Sequence, residues 1–400
     1  MFRTRAVALA SLAFVLAACG GTAGPSTPAA NRVTVLVDAK QPSGQPLNLF
    51  ATAYFPDQLS AHPGDTVDFK VQYTGEPHTV TLGKLVDADL AATAKLGPAG
   101  PPPGSPPLPE QQKLPLLVGQ PKGGPPPISQ SAGQPCFLAT GEPAAIDACS
   151  KDQQKQTDFD GTQTFYNSGF LGQDAVFTMK LADGIKPGTY GFFCLLHREA
   201  MQGKVTVVDK GQSVPSADDV KKSGDEQQKK LVQAFQAPND ATAQATPDKA
   251  VAGILDSTGK IQNAGVSVFG PKEASIPVGG SVKWLIQGAH TISFGATAAD
   301  SGTLLAKGSD GTIAFTPKGV APAGGPPAPQ APAPSGPPSG PPAIIPYNGG
   351  AFNGQGFHST GLVLSFPPAF YLYSLKFTAA GTYKYRCLVH PDMEGTVKVG

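Results

Sequence analysis

Two short stretches of the chain carry a cysteine, a histidine and a methionine in the same order after a Gly-Thr-Tyr lead. The first reads GTYGFFCLLHREAM and the second reads GTYKYRCLVHPDM. The shared side chains are Cys194, His197 and Met201 in the first stretch and Cys387, His390 and Met393 in the second. A thiolate, an imidazole and a thioether placed so close together form a soft donor set, which indicates a transition-metal site.

A further donor for each group comes from a histidine earlier in the chain. The chain has six histidines, and PHTVTLG around His78 matches AHTISFG around His290, each at the start of an expected strand. Two imidazoles, one thiolate and one thioether are the ligands of a blue-copper electron-transfer site. Zinc also accepts cysteine and histidine, but a thioether is not among its usual donors. We therefore predict two copper sites, with Met201 and Met393 as the axial ligands.

The matching motifs belong to a longer internal repeat. HPGDTVDFKV in the first half matches PVGGSVKWLI in the second, and FDGTQTFYNSG matches FNGQGFHSTG. The order of the blocks is the same in both halves, and the period is too long for a solenoid. The sequence therefore predicts a tandem duplication of one domain type.

Within each half the apolar residues mostly alternate with polar ones. Examples are TVDFKVQY and GKVTVV in the first half and SVKWLI and GTVKV in the second, with Pro-Gly or Gly-Gly breaks between such runs. This pattern predicts an antiparallel β-sandwich or barrel in each domain, so the expected fold class is all-β. The main helical exception is 216–237, where Ser216 is a candidate N-cap and Pro238 follows the run.

The composition divides the chain into domains and connecting segments. Each half carries a proline-rich insertion after the first histidine strand, at about 97–127 and about 318–346, and such composition favours extended segments without a packed core. The predicted organisation is a lipoprotein signal peptide at 1–19, a flexible tether at 20–31, a first domain at 32–209, a linker with a helix at 210–250 and a second domain at 251–400.

The N-terminus predicts export. It reads MFRTRAVALASLAFVLAACGG, in which two arginines precede a mostly apolar run that is too short to span a bilayer. The end of this run resembles a bacterial lipoprotein cleavage site, which implies a lipid anchor on Cys19; an ordinary cleaved signal is the alternative. Two or more acyl chains would hold the protein stably at a membrane surface. We therefore expect it on the extracytoplasmic face of a bacterial membrane.

The remaining cysteines fit an oxidising compartment. Cys136 and Cys149 lie in one loop-like segment and form the most economical disulfide pair. This pairing leaves Cys194 and Cys387 free at matching points of the two motifs. A disulfide between those two is the alternative, but it would leave both neighbouring histidines without a role.

Both halves resemble the cupredoxins, the family of plastocyanin, pseudoazurin and amicyanin, from the PGD or VGG turn to the final strand. The resemblance implies a Greek-key sandwich of eight strands with copper near one end. It supports the ligands assigned above, the first histidine matching His78 and His290. In the family the electron passes through the downstream histidine, which implies this role for His197 and His390.

The two copies depart from the family and from each other. Thr79 and Thr291 follow the first histidine, where the family often has an asparagine that pins the ligand loop. Phe193 precedes the cysteine in the first copy, whereas Arg386 precedes it in the second and points either toward the metal or outward as a surface charge. We therefore expect that the two sites need not have the same potential.

Enzymes are the first competing class. Copper oxidases and nitrite reductases contain similar domains but need further histidines for a second copper centre, and here only His62 and His358 remain after the four ligands. A site closed by four protein ligands has no open position for a substrate. The sequence therefore predicts no enzyme and no small-molecule substrate.

The predicted function is an electron carrier that exchanges electrons with redox proteins of the cell envelope. The alternative is a copper-binding lipoprotein that buffers or delivers copper without a redox partner. The same ligands serve both functions, but a cysteine buried behind the rim of a sandwich favours slow release and hence electron transfer. With 30 basic and 29 acidic residues, the composition gives no indication of a nucleic-acid partner.

Overall fold

The computed structural model describes residues 30–39, 49–72, 75–96, 107–115, 127–144, 147–235, 242–258, 260–261, 263–302, 304–327, 329 and 342–400. The structural statements below concern these residues. The predicted signal peptide, Cys19 and nearly all of the tether lie outside them, as do parts of both proline-rich insertions.

Strands make up most of the regular structure. In the first half they are β1 Arg32–Val37, β2 Leu49–Ala51, β3 Tyr54–Phe55, β4 Gln58–Ala61, β5 Thr66–Val71, β6 Thr81–Leu82, β7 Cys136–Leu138, β8 Phe165–Asn167, β9 Val176–Lys180, β10 Gly188–Cys194 and β11 Arg198–Val207. In the second half they are β12 Ala250–Leu255, β13 Ala264–Gly270, β14 Glu273–Ile276, β15 Ser281–Ile286, β16 Gly288–His290, β17 Ser293–Phe294, β18 Leu305–Lys307, β19 Ile313–Phe315, β20 Ala343–Phe352, β21 His358–Ser359, β22 Val363–Ser365, β23 Ala369–Phe377, β24 Gly381–Arg386 and β25 Glu394–Val399. The α-helices are α1 Lys84–Ala94, α2 Pro109–Gln112, α3 Gln130–Gly133, α4 Ala217–Ala234 and α5 Pro317–Val320, and 3₁₀ turns cover Pro247–Lys249 and Ala298–Asp300.

Each half contains two main sheets that pack as a sandwich. The first half has the strand orders β3-β1-β5-β9 and β4-β11-β10-β6-β8-β7. The second half has the orders β2-β13-β12-β15-β23-β20 and β14-β25-β24-β17-β21, with two small two-stranded sheets beside them. The predicted all-β architecture with two domains is therefore confirmed.

The alternating sequences form the inner faces of these sheets. In β5 the buried positions are Val67, Phe69 and Val71, and in β15 Trp284 is fully buried in the same alternating pattern. Each such side chain contributes about 1.5–3 kcal/mol when it leaves water completely. The period of two along each strand thus fixes which residues form the core.

The expectation of antiparallel sheets is wrong for several neighbouring pairs. β1 pairs with β5, β4 with β11, β12 with β15 and β14 with β25, all in parallel. After β3, which pairs with β1 in the first sheet, the chain forms β4 in the opposing sheet before it returns to the first sheet as β5. Because it crosses between sheets, the returning strand runs in the same direction as its neighbour.

One strand of the first half completes a sheet of the second. Leu49–Ala51 pairs in antiparallel register with β13, Ala51 opposite Ala264 and Leu49 opposite Val266. The predicted domain boundaries place β2 in the first domain, whereas its hydrogen bonds join it to the second. This exchange connects the two sandwiches through backbone hydrogen bonds.

The interdomain segment contains a helix that packs on the first domain. Helix α4 begins after Ser216, whose hydroxyl accepts a hydrogen bond from the Asp219 backbone N–H. Gly224 is buried where a Cβ would lie 2.8 Å from the Phe55 carbonyl oxygen. The helix is therefore held against the β3 end of the first sandwich.

The predicted proline-rich insertion at 318–346 ends earlier than expected. Its last residues belong to β20, which begins at Ala343 and pairs in parallel with β23. Pro346 is tolerated there because β20 is the edge strand of its sheet. Part of the first insertion is also ordered, since α2 lies within it and Leu114 is buried.

The predicted disulfide is confirmed. Cys136 and Cys149 are bonded, while Cys194 and Cys387 are free and buried. No helix in the described ranges has the length and apolar character that a bilayer span requires.

Candidate metal centres

The first group lies at one end of the first sandwich. His78 precedes β6, Cys194 ends β10 and His197 follows in the turn before β11. Their candidate ligand atoms all lie within 4.8 Å of one another, and His78 and Cys194 are fully buried. The predicted first histidine is therefore brought to the cysteine motif from a distant part of the chain.

The second group has the corresponding placement in the second sandwich. His290 ends β16, and Cys387 and His390 follow β24. The two histidine Nδ1 atoms are 3.1 Å apart, and the Cys387 Sγ lies 3.5 Å from His390 Nδ1 and 3.9 Å from His290 Nδ1. All three ligand atoms thus converge on one point.

A threonine pins each ligand loop. The Thr79 backbone N–H donates to the Cys194 Sγ at 3.4 Å, and its hydroxyl accepts from the Leu195 N–H at 2.9 Å. Thr291 repeats both contacts, at 3.4 Å to Cys387 Sγ and 2.8 Å from Leu388. The threonines therefore serve the pinning role that the family often gives to asparagine.

The surroundings of both thiols lower their pKa. Burial would raise the pKa of Cys194, but His197 and His78 beside it lower that pKa well below the usual value. Burial would likewise raise the pKa of Cys387, but His290 and His390 lower it well below the usual value. The thiolate is the form that binds a metal ion.

The donors fit copper. The Nδ1 atoms of His78 and His197 are buried and have no hydrogen-bond partner among the described residues, as free ligand atoms would. The thiolate and two imidazoles match the equatorial ligands of a blue-copper site. When bound there, copper would supply a one-electron couple.

The methionines lie in the same cores as the thiolates. Met201 and Met393 are buried and belong to the clusters that contain Cys194 and Cys387, respectively. Met393 lies in the loop before β25, and its carbonyl oxygen accepts from the Cys387 N–H at 2.9 Å. Met201 instead lies on β11. Axial ligation by either methionine stays a prediction.

The Nε2 atom of the first histidine has a different partner in each of the two groups. His78 Nε2 lies 3.1 Å from Asp38 Oδ2, whereas His290 Nε2 lies 3.0 Å from the Gln287 carbonyl oxygen. Burial alone would lower the pKa of His78, but Asp38 and Cys194 raise it to about 10. Burial lowers the pKa of His290, which has no such carboxylate beside it.

A single matching position produces this difference. The parallel pairing of β1 with β5 ends at Val37, and that of β12 with β15 ends at Ala252, so the next residues, Asp38 and Gly253, correspond. Both have positive φ, 65° and 78°. A Cβ at Gly253 would lie 2.1 Å from His290 Nε2. The first group therefore carries a buried negative charge where the second has only a glycine.

Asp38→Asn should raise the reduction potential of the first site. The Asp38 charge stabilises the more positive, oxidised site through His78, and the neutral amide removes that effect. A rise on the order of 60 mV is expected, since 59 mV is a tenfold change in the equilibrium constant of a one-electron couple. Spectroelectrochemistry on a Cys387→Ser background would record the first site alone. Asp68→Asn, on the β5 surface, is the control, and an unchanged or lower potential in Asp38→Asn would contradict the prediction.

Arg386 points away from the second group. Its guanidinium pairs with Glu394 at 2.6 Å on the neighbouring strand, and the Glu394 side chain is half exposed. Of the two predicted orientations of Arg386, the structure therefore shows the outward one.

The two spare histidines lie elsewhere. His62 Nε2 contacts the Gln212 carbonyl oxygen at 2.8 Å, and His358 Nε2 contacts the Tyr373 hydroxyl at 2.9 Å. In the described part of the chain, clusters with metal-binding spacing are found only at the two groups above.

The downstream histidines differ in exposure. His197 is 17% exposed and lines an apolar cavity of about 380 Å³ between the domains, together with Phe170 and Leu196. His390 is 1% exposed and lies against Phe50. Of the two downstream histidines, His197 is therefore the more accessible.

Sequence reasoning missed Asp38, Glu76 and Gly253. The Glu76 carboxylate lies 3.1 Å from His197 Nε2. Burial alone would raise the pKa of Glu76, but His197, His390 and His78 lower it to about 2. Its position two residues before His78 was the one available signal, and the second copy has no acidic residue at the matching place.

The fold is similar to that of the cupredoxins. Neither a family model nor a curated protein matches the sequence. Among solved structures, a reduced auracyanin from Roseiflexus castenholzii aligns with 45% of this chain and 98% of its own, at 19% identity and a TM-score of 0.22. A blue copper oxidase from Nitrosomonas europaea and a multicopper oxidase, mgLAC, each align with 93% of this chain and 86% of their own, at 12% identity and a TM-score of 0.20.

The prediction that the chain is not an enzyme is contradicted by these two oxidases, which align with 93% of the chain. The prediction is withdrawn. At 12% identity the alignments assign no reaction to this chain.

Proposed function

We propose that the protein is an extracytoplasmic blue-copper electron-transfer protein with one type 1 site in each of two tandem cupredoxin-like domains. The observation that carries the proposal is the pair of buried groups, His78 with Cys194 and His197, and His290 with Cys387 and His390. The proposed axial ligands are Met201 and Met393. A lipid on Cys19 would hold the protein at the membrane, and its electron donors and acceptors would be redox proteins of the cell envelope.

The protein's part in this function is to hold the ligands still. Thr79 and Thr291 fix the cysteine loops through one contact to sulfur and one to the following backbone N–H. Asp38 and the Gln287 carbonyl fix the outer nitrogen of the first histidines. Such outer contacts set ring orientation and ligand basicity. A site that changes shape little between oxidation states needs little reorganisation for each electron.

The apolar cavity supports electron entry at the first site. His197 is the more exposed of the two downstream histidines and forms part of a wall that is otherwise mainly apolar. Its ring edge is therefore the accessible end of the first ligand set. His390 is covered, so the second site would exchange electrons through the first.

Copper loading followed by stopped-flow reduction tests the proposal. The mature protein should bind two coppers per chain and show an intense thiolate-to-copper visible band. A reduced membrane preparation should bleach that band while the copper stays bound, and the Cys194→Ser/Cys387→Ser double variant should show neither signal.

Two other outcomes would overturn it. A band that membranes do not bleach, with transfer of copper to an added acceptor protein, would indicate copper delivery. Stoichiometric zinc with no visible band after copper treatment would exclude a blue-copper site.

A further inference from the structure

One carboxylate lies between the two metal-binding groups. Glu76 Oε2 is 3.1 Å from His197 Nε2, and Glu76 Oε1 is 3.8 Å from His390 Nε2. The Glu76 side chain is 10% exposed, so water is largely excluded from these contacts. The two domains therefore meet with their ligand ends facing each other across a single side chain.

Each of the two histidines presents opposite ring atoms to its cysteine and to Glu76. His390 Nδ1 lies 3.5 Å from Cys387 Sγ, while its Nε2 is directed at Glu76. His197 also has its Nε2 at the carboxylate, and its Nδ1 is buried without a hydrogen-bond partner among the described residues. A histidine that binds a metal through one nitrogen carries its proton on the other. The His197 Nε2–H group can therefore donate to the Glu76 carboxylate, whereas His390 Nε2 faces the same carboxylate from 3.8 Å, which is longer than a hydrogen bond.

The interface is shaped to seat this carboxylate. Gly75 has φ +130°, and a Cβ there would lie 2.8 Å from the Val389 carbonyl oxygen and 3.0 Å from His390 Cδ2. Phe50, on the exchanged strand β2, stacks on the His390 ring at a centroid distance of 5.9 Å. The loop of the first domain thus lies directly on the ligand histidine of the second. Glu76 is held in place by both domains.

We propose that Glu76 is the electron-transfer link between the two copper sites, along the path His197, Glu76, His390. This inference rests on the proposed function. One site loses one electron and the other gains it, and no proton moves and no bond breaks. Electronic coupling falls more steeply across empty contacts than along covalent and hydrogen bonds. A carboxylate that is hydrogen-bonded to one imidazole and lies 3.8 Å from the other therefore favours this path.

The surroundings of the two sites give the transfer a direction. The Asp38 charge beside His78 stabilises the oxidised state of the first site, and the second site has no corresponding carboxylate on its first histidine. The lower potential therefore belongs to the first site. An electron that enters at the exposed His197 should move to the second site through the covered His390.

Rapid one-electron reduction of the copper-loaded full-length chain tests the link. A radiolytic radical pulse would reduce the first site, and freeze-quench EPR would follow the electron, with Cys194→Ser and Cys387→Ser proteins as single-site references. Glu76→Ala should slow transfer between the sites by about 10- to 100-fold, the usual effect of losing an outer contact of a metal ligand. Glu76→Gln, which keeps the volume but replaces one carboxylate oxygen with an amide N–H, should also be slowed. The matched control is Glu273→Gln, which removes an exposed carboxylate that does not lie between the sites.

A measurement without copper separates this role from a merely structural one. In the copper-free protein, NMR should show the Nε2–H proton of His197 protected from exchange, and Glu76→Ala should remove that protection. Small-angle scattering would show whether Glu76→Ala separates the domains. If it does, the transfer rate of Glu76→Gln decides the test, provided that this variant keeps the wild-type radius of gyration. A wild-type transfer rate in Glu76→Gln with intact domains, or in Glu76→Ala, overturns the link. Absence of the visible band in the wild-type protein would instead reject the proposed function.

Discussion

Replacing Cys194 or Cys387 with serine should remove one copper and about half of the visible absorption, because only a thiolate gives the strongly covalent bond of a blue-copper site. The two losses should be independent. Each cysteine lies in its own buried group, and the pKa of each thiol is lowered by its own histidines. Metal analysis and visible spectra of both single variants and of the double variant would measure this directly.

The disulfide provides a control for the loss of cysteine as such. The Cys136→Ser/Cys149→Ser variant should keep two coppers and the full band, although it loses about 3 kcal/mol of stability through the opened loop. If either single variant at Cys194 or Cys387 kept the full band, or lost all of it, the assignment of one site to each domain would be wrong.

Gly253→Ala should damage the second site and leave the first intact. The residue has φ +78°, which costs about 1–2 kcal/mol for a residue with a Cβ. The added Cβ would also lie 2.1 Å from His290 Nε2 and 2.2 Å from the Gln287 carbonyl oxygen, so the histidine must move. We expect copper affinity at the second site to fall by about 10- to 100-fold. Copper titration on a Cys194→Ser background would measure it.

Gly279→Ala is the matched control. This glycine also has positive φ, +84°, but no atom lies within 4 Å of an added Cβ. Gly279→Ala should lower the thermal midpoint because of backbone strain, but its copper affinity should be normal. Equal copper affinities in Gly253→Ala and Gly279→Ala would contradict the prediction, because they would show that a clash with His290 does not weaken copper binding.

Much of the candidate site could be predicted from local spacing. The Cys-His-Met motif is short, so its members stay close in any fold that keeps the turn after β10 or β24. His78 and His290 were found because the repeat places them at matching strand starts. The alternation of apolar residues likewise predicted the sandwich faces, since a strand buries every second side chain.

Other features depended on how distant segments meet. Parallel pairing in the sheets follows from crossings between layers, which a pattern of period two does not record. The proline-rich composition concealed the start of β20, because an edge strand tolerates Pro346. The placement of Met201 on β11 depends on where that strand begins.

The sequence by itself determined the candidate ligand types, their order and the all-β fold, because these follow from short-range spacing and from side-chain alternation. Only the tertiary structure decided that Asp38 and Gly253 occupy the same place beside the two first histidines. It also decided that β2 joins the second sheet, that His390 is covered and that Glu76 lies between both sites. Two domains can be docked in many ways without changing their internal patterns, so the contact between them follows from long-range packing.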